Sequence, residues 1–313
     1  MKQKPKVTRV LMMGELGNQL FQLAFGFSKS RLLKQNLELV FTSNPNRLSE
    51  FNLPPISFAE PNKIGVLILR FRFRLIRLIV KTLTFFRFYP GVKLVERITN
   101  TVTEKIPHKF DSSLLSENNT ALHYGYFQSW KYFESIENEI RKILKVKNES
   151  PEFKKLRDTL SIEPFTAVHI RRGGFGPSII NSEFHGFASV NYYLRAIALL
   201  KKLGDDFPLV IFTDNVEKAD EVISALPAKA KIVIGPSDLK SQSETLELMS
   251  SCNAFIGANS SYSWWAAYLG DKKGKNIIFP RPWYKSSGMP EQDLLAPNWI
   301  TLGLDATMQT ESD

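Results

Sequence analysis

The feature that most narrows the fold is a regular alternation in the second half of the chain. Five short apolar runs, "FTAVHI" (165–170), "PLVIFT" (208–213), "AKIVIG" (230–235), "AFIGAN" (254–259) and "NIIFP" (276–280), read as strands. Stretches with helical periodicity separate them, among them "VNYYLRAIALLKKLG" and "SETLELMSSC". Strands alternating with helices at this spacing build parallel, doubly wound sheets. The first half opens in the same way, with the strand "TRVLMM", the glycine turn "GELGNQ" (14–19), the helix "QLFQLAFGFSKSRLLKQ" and a second strand "LELVF". Ser241 and Glu244 stand at the spacing of a capping box before one of the later helices.

At 313 residues the chain has the length of two domains, each large enough to bury a core. The polar, proline-punctuated stretch "KNESPEF" divides it into an N-terminal lobe, 1–155, and a C-terminal lobe, 156–313. With 43% hydrophobic and 23% charged residues, the composition is globular and carries no signature of disorder. The single cysteine, Cys252, excludes an internal disulfide and, in its apolar setting, reads as a buried thiol. Four histidines, His108, His123, His169 and His185, lack metal-ligand spacing, and no Asp-x-Asp is present to hold a divalent cation on a nucleotide diphosphate. The basic N-terminus has an apolar run of only four residues, Val10–Met13, too short for a secretion signal or a membrane span, so the expected location is cytoplasmic.

A net charge of +10 points to anionic partners: phosphates, nucleic acid or an anionic membrane surface. Part of that charge is concentrated in a basic amphipathic insertion at 61–95, which has no acid between Glu60 and Glu96. Within it Arg70, Arg74, Arg77 and Lys81 fall on one helical stripe. Two readings stand side by side: a helix with a solvated basic face, or residues 63–88 lying on the inner, anionic membrane face as a peripheral anchor. A nucleic-acid-binding protein is disfavoured, because the charge is not spread along a groove with interleaved aromatics.

In open α/β sheets ligands bind beyond the carboxyl ends of the strands, so the residues after each strand are the candidates. After "FTAVHI" come Arg171, Arg172, Gly173 and Gly174, with His169 on the same strand face as Arg171. Arginine offers phosphate a planar, permanently charged fork, and the glycines permit close backbone approach. After "PLVIFT", Asp214 either accepts from guanine and ribose or caps the next helix. After "AFIGAN" the chain enters Asn259, Ser260, Ser261, Tyr262 and Ser263 and then a helix, which places hydroxyls and backbone N–H groups at an anion-binding helix end. Ser260 or Ser261 is expected to cap that helix while another hydroxyl reaches a phosphate. Of the adjacent Trp264 and Trp265, one is expected in the core and the other toward the cleft or domain interface. Asn18 and Gln19 in the N-terminal turn are either helix caps or cleft residues.

Taken together, "GELGNQLFQLAFG", "VHIRRGG", "MSSCNAFIGANSSYSWWAAYLG" and "IIFPRPWY" resemble the motifs of the bacterial α-1,2-fucosyltransferases, a family 11-like group in the α-1,2/α-1,6/protein O-fucosyltransferase superfamily. The resemblance implies a GT-B-like α/β fold of two facing Rossmann-like domains. It implies inverting, metal-independent transfer of L-fucose from GDP-fucose to the 2-hydroxyl of a galactose-containing glycan, with no cofactor. His169 and Arg171 would hold the diphosphate, with Arg172, Asn259 and Ser263 beside them; Ser260 and Ser261 would contact the β-phosphate. Asp214 would sit at the nucleoside, and Asn18 and Gln19 would line the donor side from the N-terminal lobe. Two departures are visible: Gly174 replaces the motif's Asp, and Glu15 replaces the second glycine of the first motif. Glu15 adds a carboxylate where an acceptor hydroxyl would lie, and Glu15, His169 and Asp214 are the base candidates. The competing reading keeps the fold and changes the sugar, or leaves a nucleotide-sugar binder without turnover.

Overall fold

The computed structural model describes residues 6–42, 45–61, 63–117, 121–173, 186–227, 231–285 and 290–304, so Gly174 and His185 lie outside the described residues. The chain divides into two compact units, Met1–Leu144 with Pro290–Leu295, and Lys145–Met289 with Ala296–Asp313. The division thus precedes the expected 155, which falls inside the helix Pro151–Leu160 of the second unit. The excursion of 290–295 into the first unit has a local cause. The buried Asp293 carboxylate accepts from the Phe110 N–H at 2.9 Å and pairs with Lys131.

The first unit runs β1 (Val7–Met12), α1 (Leu16–Leu33), β2 (Asn36–Phe41), β3 (Ser57–Ala59), α2 (Lys63–Phe85), α3 (Tyr89–Thr99), β4 (Thr101–Thr103), α4 (Ser113–Ser116), β5 (Leu122–Tyr124) and α5 (Glu137–Ile143). Its strands pair in parallel in the order β3-β2-β1-β5-β4, with Val7 opposite Asn36 and Val10 opposite His123. Helix α1 is apolar around most of its circumference and is buried from Leu16 nearly to its end. Even Lys29 is enclosed; its ammonium donates to the Leu114, Leu115 and Glu117 carbonyls at the end of α4. Strands β3, β4 and β5 have three residues each, too few for periodicity to reveal.

The segment 61–95 is more than a surface insertion. Phe73, Ile76 and Val80 of α2, at helical spacing, pack with Val92 of α3 against Leu11 and Val40 of the sheet. The hairpin is therefore the crossover that closes this face of the unit.

Glu104 follows β4 and reaches into the loop after β5, where its Oε2 accepts from the Tyr126 N–H at 2.8 Å and the Phe127 N–H at 3.1 Å. Its Oε1 is buried without a hydrogen-bond partner. Burial pushes the Glu104 carboxyl up to about 7, against the two N–H donors that hold it down.

The second unit runs α6 (Pro151–Leu160), β6 (Thr166–Ile170), α7 (Val190–Lys202), β7 (Leu209–Thr213), α8 (Val216–Ala225), β8 (Lys231–Ile234), α9 (Gln242–Ser250), β9 (Ala254–Ile256), α10 (Ser261–Gly270), β10 (Ile277–Arg281) and β11 (Ile300–Gly303). The parallel order is β11-β10-β9-β6-β7-β8. The chain winds outward from β6 through β7 to β8, then returns to β6's other side with β9. That reversal puts a topological switch point between β6 and β9. Each strand expected in this half is present, and β11 extends the edge.

Two expectations are corrected here. Neither tryptophan of α10 faces outward: Trp264 and Trp265 are both wholly buried, because the helix is apolar on every side beyond Ser263. Trp264 stacks on Tyr268 at 4.9 Å and packs 5.4 Å from Trp299, while Trp265 meets Trp264 edge-on at 73°. The capping box is half formed. Ser241 accepts from the Glu244 N–H at 3.2 Å, but the buried Glu244 carboxylate accepts from Ser150 N at 2.6 Å and Lys240 N at 3.2 Å. The glutamate thus latches the entry of α6 to that of α9.

Two outcomes are expected. Trp264→Ala and Trp265→Ala should each cost about 3–5 kcal/mol by urea denaturation, since each removes a fully enclosed ring. The second concerns Glu104, whose native carboxyl binds its proton more tightly than the unfolded chain does. That contribution is complete below the ordinary value of 4.5 and is lost as pH rises through about 7. Glu104→Gln, which keeps an acceptor and does not titrate, should gain on the parent by on the order of 3 kcal/mol between about pH 5 and about pH 8. A difference independent of pH would show that the carboxyl is not shielded from water.

Candidate functional site

The carboxyl ends of β6 and β9 flank the switch point, and α7 holds both. Its consecutive Tyr192 and Tyr193 are fully buried. The Tyr192 hydroxyl donates to the Gly257 carbonyl at 2.7 Å and the Ile278 carbonyl at 3.3 Å; that of Tyr193 donates to the His169 carbonyl at 3.0 Å. Burial raises both phenols far from ionisation, so they remain donors. Two adjacent phenols inside an apolar helix demand buried acceptors, a signal that helical periodicity alone does not display.

At the end of β6, His169 is buried and its ring lies 5.9 Å from that of Tyr262 in the first turn of α10. The two motifs that stand far apart in sequence therefore meet. Burial lowers His169 to about 4, with the Asp214 carboxylate working against it and the Arg171 guanidinium adding to it. Near neutral pH the imidazole is uncharged, and its Nδ1 is enclosed without a hydrogen-bond partner. Arg171, partly buried, continues past the strand end beside it.

Arg172 and Asp214 build the loop. The Arg172 guanidinium donates to the Arg171 and Ala188 carbonyls, each at 3.0 Å, and lies over the Phe187 ring. It braces the segment that leads into α7. Asp214 does not cap α8; Asn215 does, accepting from Lys218 N at 2.8 Å. Instead the Asp214 Oδ1 accepts from Arg172 N at 2.7 Å and Gly173 N at 3.0 Å, tying the loop after β6 to the end of β7. A Cβ on Gly173 would stand 3.3 Å from Asp214 Oδ2, a tight contact.

The turn from β9 into α10 uses its polar side chains unequally. Asn259 donates to the Gly186 and Trp283 carbonyls at 3.2 and 3.1 Å, and Ser263 accepts from Ala258 N at 3.1 Å. These two fix the turn. Ser260 is the N-cap residue but makes no side-chain hydrogen bond to the helix, contrary to the capping expectation. Backbone N–H groups and the helix dipole make a helix N-terminus favourable for an anion. The end of β6, with His169 and Arg171, thus adjoins the Ser260–Ser261 turn that starts α10.

In the first unit the matching switch point lies between β1 and β5. Gln22 bridges it, accepting from Met13 N and donating to the Gly125 carbonyl, each at 2.9 Å. Gln19 is buried and satisfied: it donates to the Gly14 and Pro45 carbonyls and accepts from Arg47 N. It therefore ties down the following loop. Asn18 accepts from Gln128 at 2.8 Å, and Gln128 in turn meets His108 Nε2 at 2.8 Å. Gly14 has a φ of +73°, and an added Cβ would stand 2.3 Å from Asn18 Nδ2, so this glycine is required. Glu15 has φ −83° and extended backbone, so the departure from glycine costs the backbone nothing. Its side chain is 68% exposed and lies 3.6 Å from Arg47 Nη2. Gln128 and Glu104 were missed in the sequence, because a strand of three residues hides which polar groups follow it. Among the described residues no group of three or more His, Cys, Asp and Glu is placed to hold a metal ion.

Comparisons with known proteins place the chain in a family. The family model described as Glycosyl transferase family 11 matches residues 98–303, which include every strand of the second unit. An alpha-1,2-colitosyltransferase from Escherichia coli is 28% identical over 181 residues, 57% of this chain and 61% of that protein. A galactoside 2-alpha-L-fucosyltransferase from Caenorhabditis elegans is 26% identical over 191 residues, 57% of this chain and 52% of that protein. The matches span 44% to 61% of the length of the curated relatives. The glycosyl transferase family 9 structure from Veillonella parvula superposes with a TM-score of 0.51 at 14% identity, over 98% of this chain and 89% of that one. The fold is thus the GT-B-like α/β class. With the family model covering well over half its length, the chain belongs to glycosyl transferase family 11.

Proposed function

We propose that this protein transfers L-fucose from GDP-fucose to the 2-hydroxyl of a galactose-containing acceptor glycan, with inversion at the sugar's anomeric carbon. The reading rests on one observation above all. At the β6/β9 switch point the strand end that carries His169 and Arg171 adjoins the turn into α10, in a unit whose strands all lie within the family match. As the fucosyl C1–O bond breaks, negative charge grows on the β-phosphate. The Arg171 guanidinium, the first N–H groups of α10 and the hydroxyls of Ser260 and Ser261 would meet that charge already oriented, with no metal ion. His169, neutral near pH 7, would serve as a donor to phosphate rather than as a second cation. Asp214 would keep one oxygen on the loop and offer the other to ribose or guanine. On the acceptor side Glu15, a solvated carboxylate, would take the proton of the attacking hydroxyl.

A second reading, transfer of colitose or another sugar, is favoured by the name of the Escherichia coli relative and by Gly174 in the place of the motif's Asp.

Incubation with GDP-fucose and lactose, N-acetyllactosamine or galactosyl-β-1,3-N-acetylhexosamine acceptors should give a product whose linkage analysis shows substitution at the galactose 2-hydroxyl. Calorimetric titration with GDP-fucose, GDP-mannose and UDP-galactose separates the donors; tight binding of UDP-galactose alone would sink the proposal. So would turnover abolished by a chelator and restored by manganese. Arg171→Ala should lower kcat/KM about 30- to several-thousand-fold, the equivalent of about 2–5 kcal/mol for an unpaired buried phosphate charge. Activity within about threefold of the parent would remove Arg171 from the diphosphate.

A further inference from the structure

The α2–α3 hairpin shows two apolar faces where a surface element needs one. Phe73, Ile76 and Val80 point into the core. Roughly opposite them on the helix, at about 100° per residue, a second stripe runs outward through Ile68, Phe71, Leu75, Leu78 and Phe85, each exposed and Phe85 by 80%. At the corner between the helices Phe86, Phe88 and Tyr89 are exposed as well, and α3 adds Leu94 and Ile98. Of the eighteen exposed large apolar side chains among the described residues, ten lie in this hairpin, its corner included. A contiguous apolar surface of this kind marks an interaction site.

The charges around the stripe identify the partner. Arg72 and Arg74 are exposed to either side of it, and Arg87, Lys93 and Arg97 are exposed at the corner and along α3. No acid lies between Glu60 and Glu96, and Glu96 itself is turned onto Thr103, whose N–H and hydroxyl it accepts at 2.9 Å. A second copy of this chain would oppose cations to cations. A nucleic acid would satisfy the arginines and leave the Ile and Leu stripe in water. Anionic lipid satisfies both: acyl chains take the aliphatic and aromatic side chains, and headgroup phosphates take the arginines. Among the described residues no helix is long and apolar enough to cross a membrane, so the hairpin would lie in the interface.

We propose that the α2–α3 hairpin docks this protein on an anionic bilayer surface, with the Phe71–Leu78 stripe and the aromatic corner Phe85–Tyr89 seated below the headgroups.

The test is flotation of the full chain with vesicles of phosphatidylcholine alone or mixed with phosphatidylglycerol, which reads binding whether or not any sugar is transferred. The parent should float with the anionic vesicles at low salt and remain behind with the neutral ones. Phe85→Ser with Phe86→Ser should lower the bound fraction about tenfold, since each side chain withdraws from water on docking. Arg72→Gln with Arg74→Gln should weaken binding about fivefold per charge. All four side chains are exposed, so the variants should keep the parent's unfolding midpoint. Equal partition onto neutral vesicles, or variants that float like the parent, would overturn the proposal. So would a dimer by sedimentation that the Phe85/Phe86 variant dissolves, which would assign the surface to a second copy.

Discussion

Two buried hydroxyls carry the geometry on which the candidate site depends. Where parallel strands end, their last carbonyls lose ladder partners while still enclosed, and an unsatisfied buried carbonyl costs as much as a lost hydrogen bond. Tyr192 and Tyr193 meet that need from one helix. The first bonds to the carbonyl of Gly257 after β9, and the second to that of His169 in β6. The two tips at the switch point are thereby fixed against a common support. Asp214 adds a third tie, from the end of β7 to the loop after β6. A site that stabilises developing charge needs donors oriented before the reaction, and these ties supply that order.

The first unit reaches a similar end by other means. Amide side chains, rather than phenols, join its strand tips: Gln22 spans β1 and the loop after β5, and Asn18, Gln128 and His108 form a chain of contacts along the same rim. Amides donate and accept at once, so one side chain can serve two backbone groups of opposite kind. Glu104 completes the rim at an electrostatic cost, since its carboxylate has lost water and gained only two N–H donors.

The amphipathic segment divides along a similar line. Its basic and apolar content is plain in the residues, yet the pattern admits a helix packed on the protein, a helix on a membrane, or both. Packing of Phe73, Ile76 and Val80 on the sheet uses one face, and the outward stripe is what that packing leaves over.

What the residues alone determined is the part governed by local and periodic rules. The principal strands, their order along the chain, the glycine turn and the clustering of His169, Arg171, Asp214 and the Ser260–Ser261 turn after strand ends all follow from patterning and from the parallel α/β topology. What the tertiary structure decided is how each polar side chain is spent. Asn259, Ser263, Gln19 and Arg172 each hold a loop through hydrogen bonds that the sequence does not reveal, while Ser260, expected to cap α10, makes no side-chain cap bond. Tyr192, Tyr193, Gln128 and Glu104, which no sequence pattern marks, hold the strand ends and the unit-one rim. The reason is physical. A buried donor or acceptor takes whichever partner the fold brings within about 3 Å, and residues as distant as Gln128 and Asn18, 110 positions apart, become neighbours only once the sheet has closed.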